Sequence, residues 1–168
     1  MWVNRSSRRN VTCSVRALDL CHAEDMQQDA DPRPIRGGAF DFRGPAIPEY
    51  APERDHEPDP GEVVWAWVPF EEDPSQGKDR PLAIVGRVQD KPDELVCFLL
   101  SSKDRATDDE WVLIGSGDWD SEHRASWANI ARPLAVTPES VRREGGMLSR
   151  EQFDAVVDAA RRRFPPKS

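Results

Sequence analysis

The sequence predicts a mainly β domain with α, a small antiparallel β-barrel closed by a C-terminal helix, behind a largely disordered N-terminal leader. Three observations lead there. Short β-branched and aromatic runs recur at close spacing after Gly61. One amphipathic helical pattern ends the chain. Before Gly61, prolines and charges alternate, a composition that buries too little apolar surface to offset its ordering entropy.

The leader is assigned to residues 1–59. Its stretch Asp31 to Pro60 holds Pro32, Pro34, Pro45, Pro48, Pro52, Pro58 and Pro60 among charged residues. Within the leader, only Val11 to Leu20 has the character of a helical turn or two. The domain, residues 60–168, opens with Val63 to Val68 (VVWAWV), a run bounded by Gly61 and Pro69. Pro81 to Val88 and Leu95 to Leu100 follow, with a turn carried by Asp90, Lys91, Pro92 and Asp93. Trp111 to Ile114 makes a fourth strand, and Trp127 to Val136 a fifth, broken by Pro133.

Two helices are predicted at the end. Thr137 caps a short one with Pro138 in its first position, stopped by Gly145-Gly146. Ser149 and Gln152 form a capping box for the second, and Leu148 with Phe153 has hydrophobic-staple spacing. Phe153, Val156, Val157, Ala160 and Phe164 then share one face, leaving Arg161 and Arg163 to solvent.

Composition narrows the function. The chain of 168 residues carries a net charge of −8, and residues 61–140 hold 16 acidic against 8 basic residues. That argues against coating nucleic acid by bulk charge, because phosphate binding is driven by Lys and Arg. A small site where a few cations meet one or two phosphates stays open. No run approaches the roughly 20 apolar residues of a membrane span, and no apolar signal-peptide stretch follows the basic start. Cys13, Cys21 and Cys97 have no paired spacing, which suits a reducing compartment. The protein therefore reads as cytoplasmic, without membrane partners. His22, His56 and His123 are too scattered for a metal site, and Asp108, Asp109 and Glu110 read as a solvated run. No metal and no cofactor is predicted.

Three segments, in order, carry a resemblance. Gly61-Glu62-Val63-Val64-Trp65 opens the first strand. Gln76-Gly77-Lys78-Asp79-Arg80-Pro81 leads into the second. Ser101-Ser102-Lys103 ends the third. Together they resemble the PemK/MazF toxin family, over about residues 60–164. The resemblance implies an SH3-like barrel, a homodimer, and metal-independent endoribonuclease action on single-stranded RNA or mRNA. It also implies a cognate antitoxin partner, with operator DNA bound only through the antitoxin complex.

The resemblance assigns the catalytic positions to Arg80 and Ser101. A guanidinium grips the oxygens of a phosphorane-like transition state with two parallel hydrogen bonds, and a hydroxyl adds a directed third. Serine stands where the family usually has threonine, and Ser75 stands near where several members carry glutamate. Gln76, Gly77, Lys78, Ser102 and Lys103 are expected to bind RNA around them. Gly77 would permit a tight turn or positive φ. Trp119, in the polar loop Gly115 to Glu122, is the expected base-stacking residue. Trp65, Trp111 and Trp127 are expected in the barrel core or dimer seam. Each assignment has a plainer counterpart: a surface ion pair of Arg80 with Asp79 or Asp73, and a turn-capping role for Ser101. The alternative function is a non-catalytic barrel that binds nucleic acid or protein, a toxin without its chemistry.

Overall fold

The computed structural model describes residues 17–20, 38–53 and 57–165. Within them the chain runs β1 (Leu18–Asp19), β2 (Phe40–Asp41), β3 (Pro45–Pro48), β4 (Glu62–Pro69), β5 (Gly77–Val88), β6 (Lys91–Ser101), β7 (Trp111–Gly115), β8 (Ser126–Asn129) and β9 (Leu134–Val136). A 3-10 turn (Pro138–Ser140), β10 (Val141–Met147) and α1 (Arg150–Arg163) complete it. All pairings between strands are antiparallel.

Two long strands make the frame. β5 pairs with β4 along its first half, from Pro69↔Gly77 to Val63↔Ala83, and with β3 along its second, from Pro48↔Gly86 to Ala46↔Val88. β6 lies on the other side of β5 and changes partner in the same way, from β9 at Leu95–Cys97 to β8 at Leu100–Ser101. Long strands that change neighbours part-way curl the sheet, and bulges beside Ile84/Gly86 and Arg87/Val88 sharpen the bend. The result is a curled antiparallel half-barrel. The β5–β6 connection is tighter than the predicted turn. Val88 pairs with Lys91, so Lys91, Pro92 and Asp93 already belong to β6.

Each face of the sheet buries its own cluster. Val64, Ala66, Val68, Leu82, Ile84, Leu95, Cys97, Leu134 and Val136 form the cluster on one face. Val63, Ala83, Val85, Val96, Phe98 and Leu100 point the other way, beneath α1. This is why the runs read as almost continuously apolar: both faces are covered. Helix α1 follows its sequence pattern. Gln152 N donates to Ser149 Oγ (3.1 Å), and Ser149 N donates to Gln152 Oε1 (2.9 Å). Phe153, Val156, Val157 and Ala160 are buried against the sheet, and Leu148 beneath Phe153 completes the staple. Gln152 Nε2 also donates to the carbonyls of Ile114 and Ser116, fixing the helix start to the end of β7. No helix of the described residues is long and apolar enough to cross a membrane.

Three expectations are corrected. Part of the leader is built into the domain: Leu18, Leu20, Phe40, Phe42 and Ala46 are buried in the cluster beneath α1. Tyr50 donates its hydroxyl to Leu148 O (2.8 Å), with its ring 5.2 Å from Phe153. The segment has no core of its own, but its apolar residues alternate (Leu18/Leu20, Phe40/Phe42), and the domain supplies the surface they cover. Leu18–Asp19 is accordingly a strand, not a helical turn, while Val11 to Arg16 lies outside the described residues. Finally, the first of the two closing helices is only the 3-10 turn. Val141 then enters β10, which pairs with β4. Gly145 sits in that strand because a Cβ there would meet the backbone of Val63.

Candidate functional site

The segment Gln76 to Arg80 was expected as a loop. In the structure the loop is 70–76, and Gly77–Arg80 are the first residues of β5. The loop closes on itself: Phe70 N donates to Gln76 O, Gln76 N to Asp73 O, and Ser75 Oγ to Asp73 Oδ1 (2.6 Å). Gly77 does not have positive φ. Its reason is close approach, since a Cβ would run into Val68 O and the Trp67 ring. Gln76 and Lys78 are exposed on the hairpin.

Strand alternation then decides which residues share a face. Arg80 lies two positions from Leu82, so its side chain emerges on the face of Leu82. Leu82 pairs with Leu99, and the same register carried two residues further sets Arg80 level with Ser101. Ser101 pairs with Trp127, Trp127 with Leu113, and Trp111 with Asn129. Arg80, Ser101, Trp127, Leu113 and Trp111 therefore lie across four neighbouring strands on one face, beyond the buried cluster. Leu113 is 50% exposed there, and both tryptophans are half-buried.

Asp79 emerges on the opposite face, where Arg142 donates to it at 2.6 Å. Asp73 is engaged by Ser75. Neither carboxylate answers Arg80, which has no ion pair among the described residues. Partial burial, and then the like charge of Arg105, hold its pKa below the ordinary arginine value. Both causes penalise a cation that has no counter-ion, and a bound anion would relieve them. Arg105 follows β6 in the chain, with its guanidinium 4.3 Å from the centre of the Trp111 ring and its Nε buried without a hydrogen bond.

Ser101 Oγ accepts from Lys103 N at 3.2 Å, so it does cap the turn after β6. Among the described residues no acceptor takes its proton. Ser102 and Lys103 are exposed beside it.

Trp119 is placed in reverse of expectation. Trp119 is 4% exposed within the cluster beneath α1, and its Nε1 donates to Ser126 Oγ at 2.9 Å. Its loop is polar in sequence, but the loop folds back and drives the indole inward, against Gly117, where a Cβ would collide with the ring. Trp119 is therefore not an exposed stacking platform. Trp65, Trp67, Trp111 and Trp127 are half-buried, and none belongs to a core cluster. The tryptophans on Arg80's face are Trp111 and Trp127. Arg105 escaped the sequence reading as one cation in an acidic loop. Its signal was the aromatic at the start of the next strand.

Among the described residues no group of three His, Cys, Asp or Glu is placed to hold a metal ion. His22 and His56 lie outside them.

Comparison with curated proteins returns no match. A family model described as "PemK-like, MazF-like toxin of type II toxin-antitoxin system" matches residues 59–164, from just before β4 to the end of the helix. That is more than half of the chain, and it contains both halves of the Arg80–Ser101 juxtaposition. The chain belongs to the PemK/MazF toxin family of type II toxin–antitoxin systems.

Proposed function

We propose that this chain is the toxin of its pair, an endoribonuclease that cuts single-stranded RNA without a metal. The observation that carries this reading is the levelling of Arg80 with Ser101 on adjacent strands of one face, with no ion pair to the guanidinium among the described residues. The 2′-hydroxyl of the RNA attacks the neighbouring phosphorus. The bond to the 5′-oxygen breaks, that oxygen leaves as a 5′-hydroxyl by taking up through solvent the proton that the 2′-hydroxyl gives up, and a 2′,3′-cyclic phosphate remains. Arg80 binds the non-bridging oxygens as charge gathers on them, and Ser101 donates one further hydrogen bond. An arginine is a poor base on pKa grounds, so its part is electrostatic. Gln76, Gly77 and Lys78 on the hairpin, with Ser102 and Lys103 after β6, flank this point and hold the adjoining backbone.

The test is incubation of the purified protein with mixed single-stranded RNA in EDTA, followed by mapping of the ends. Cyclic phosphate and 5′-hydroxyl ends are expected. Intact RNA, or cleavage that needs a divalent ion and leaves 5′-phosphates, rejects the reading.

The proposal extends to a cytoplasmic homodimer held in check by a cognate antitoxin. What supports the dimer is membership of the family. Sedimentation at micromolar concentration is expected to show a dimer, and a monomer there removes this part.

A further inference from the structure

We propose that Arg105 is a second ligand for the RNA backbone, gripping phosphate beside Arg80. The inference rests on the RNA-cutting reading above and adds a binding residue to it.

The geometry is specific. Trp111, under the Arg105 guanidinium, lies on β7, on the same face as Arg80, Ser101 and Trp127. The indole holds the guanidinium flat, so Arg105 spends little rotamer freedom when it binds. Two of the four acids of its own loop turn to backbone amides: Asp104 Oδ1 accepts from Ala106 N, and Asp108 Oδ1 accepts from Glu110 N. Among the described residues Arg105 has no carboxylate partner, and its buried Nε has no acceptor. Two guanidiniums thus stand on one face, each without an anion. Such a pair is unfavourable when empty and favourable around a shared or adjacent phosphate. The overall negative charge of the chain makes these two cations the local exception that an RNA backbone would find.

The test separates binding from cutting. RNA with 2′-O-methyl groups lacks the attacking hydroxyl, so its Kd is measured on wild type, Arg105→Gln and Arg105→Lys across a salt series. Arg105→Gln is expected to weaken binding about tenfold and to lower the salt slope by about 0.7, the value of one phosphate contact on a single strand. Arg105→Lys keeps the slope and binds with intermediate affinity, because charge remains and stacking is lost. Thermal melting is read alongside. Unchanged Kd and slope in Arg105→Gln, with or without a lower melting temperature, assign Arg105 a structural role and overturn the inference alone. If Arg105→Gln does not fold, a steeply reduced slope in Arg105→Lys overturns it. Wild type that neither binds this RNA nor cuts ordinary RNA overturns the functional reading, and the inference with it.

Discussion

Arg80→Ala is expected to lower RNA cleavage by at least about 10²–10³-fold, the usual cost of one lost preorganised donor. The guanidinium is the group that meets the charge of the transition state, and it is the cation that the β5–β6 register sets level with Ser101. Arg80→Lys should recover only part of the rate, because a point charge lacks the paired donors that fit two phosphate oxygens. Ser101→Ala should also lower the rate, since it removes one hydrogen bond and leaves the charge. The fold should survive all three. Arg80 makes no ion pair among the described residues, and burial together with Arg105 already disfavours its charged form. Removing it therefore takes away a repulsion and breaks no ion pair among the described residues. The check is single-turnover cleavage beside a melting curve. A rate within threefold of wild type in Arg80→Ala would assign the chemistry elsewhere.

Trp119→Ala is expected to cost about 3–5 kcal/mol of stability, as for other large aromatics removed from a core. The indole packs among residues of the sheet and α1, and its N–H is satisfied by Ser126. Truncation leaves both a cavity and an orphaned hydroxyl. Trp119→Phe keeps most of the volume and should lose about 1 kcal/mol with the hydrogen bond. Urea unfolding measures both. Folded Trp119→Phe should bind RNA like wild type. The opposite pattern, unchanged stability with lost binding, would restore Trp119 to the RNA surface.

What was legible in the sequence was what local chemistry dictates. VVWAWV, PLAIVGRV and LVCFLL are strands because β-branched and aromatic side chains suit a pleated surface. Ser149 and Gln152 announce α1 because a capping box satisfies its first amides locally. Arg80 and Ser101 were found through the family resemblance, but their juxtaposition belongs to register, which no single segment encodes. The misses share that origin. Trp119 looked exposed because its neighbours in sequence are polar, while its neighbours in space are Leu148 and Phe153. Phe40 and Leu18 looked too sparse to be ordered because the surface they cover lies far along the chain. Gly145-Gly146 looked like a helix stop because the close approach of Val63 is visible only in the folded chain.

The strand Pro45–Pro48 occupies the half of β5 that β4 leaves open. An unpaired strand edge is a template on which another chain can add a strand. Here the template is filled by the protein's own segment, whose two ends are prolines without an N–H, and Leu18–Asp19 pairs along that segment's other edge. A partner's extended peptide therefore has no backbone ladder to extend along this stretch without first peeling the segment away. Recognition that leaves the fold intact must instead read side chains across the face, where sequence can discriminate one partner from another.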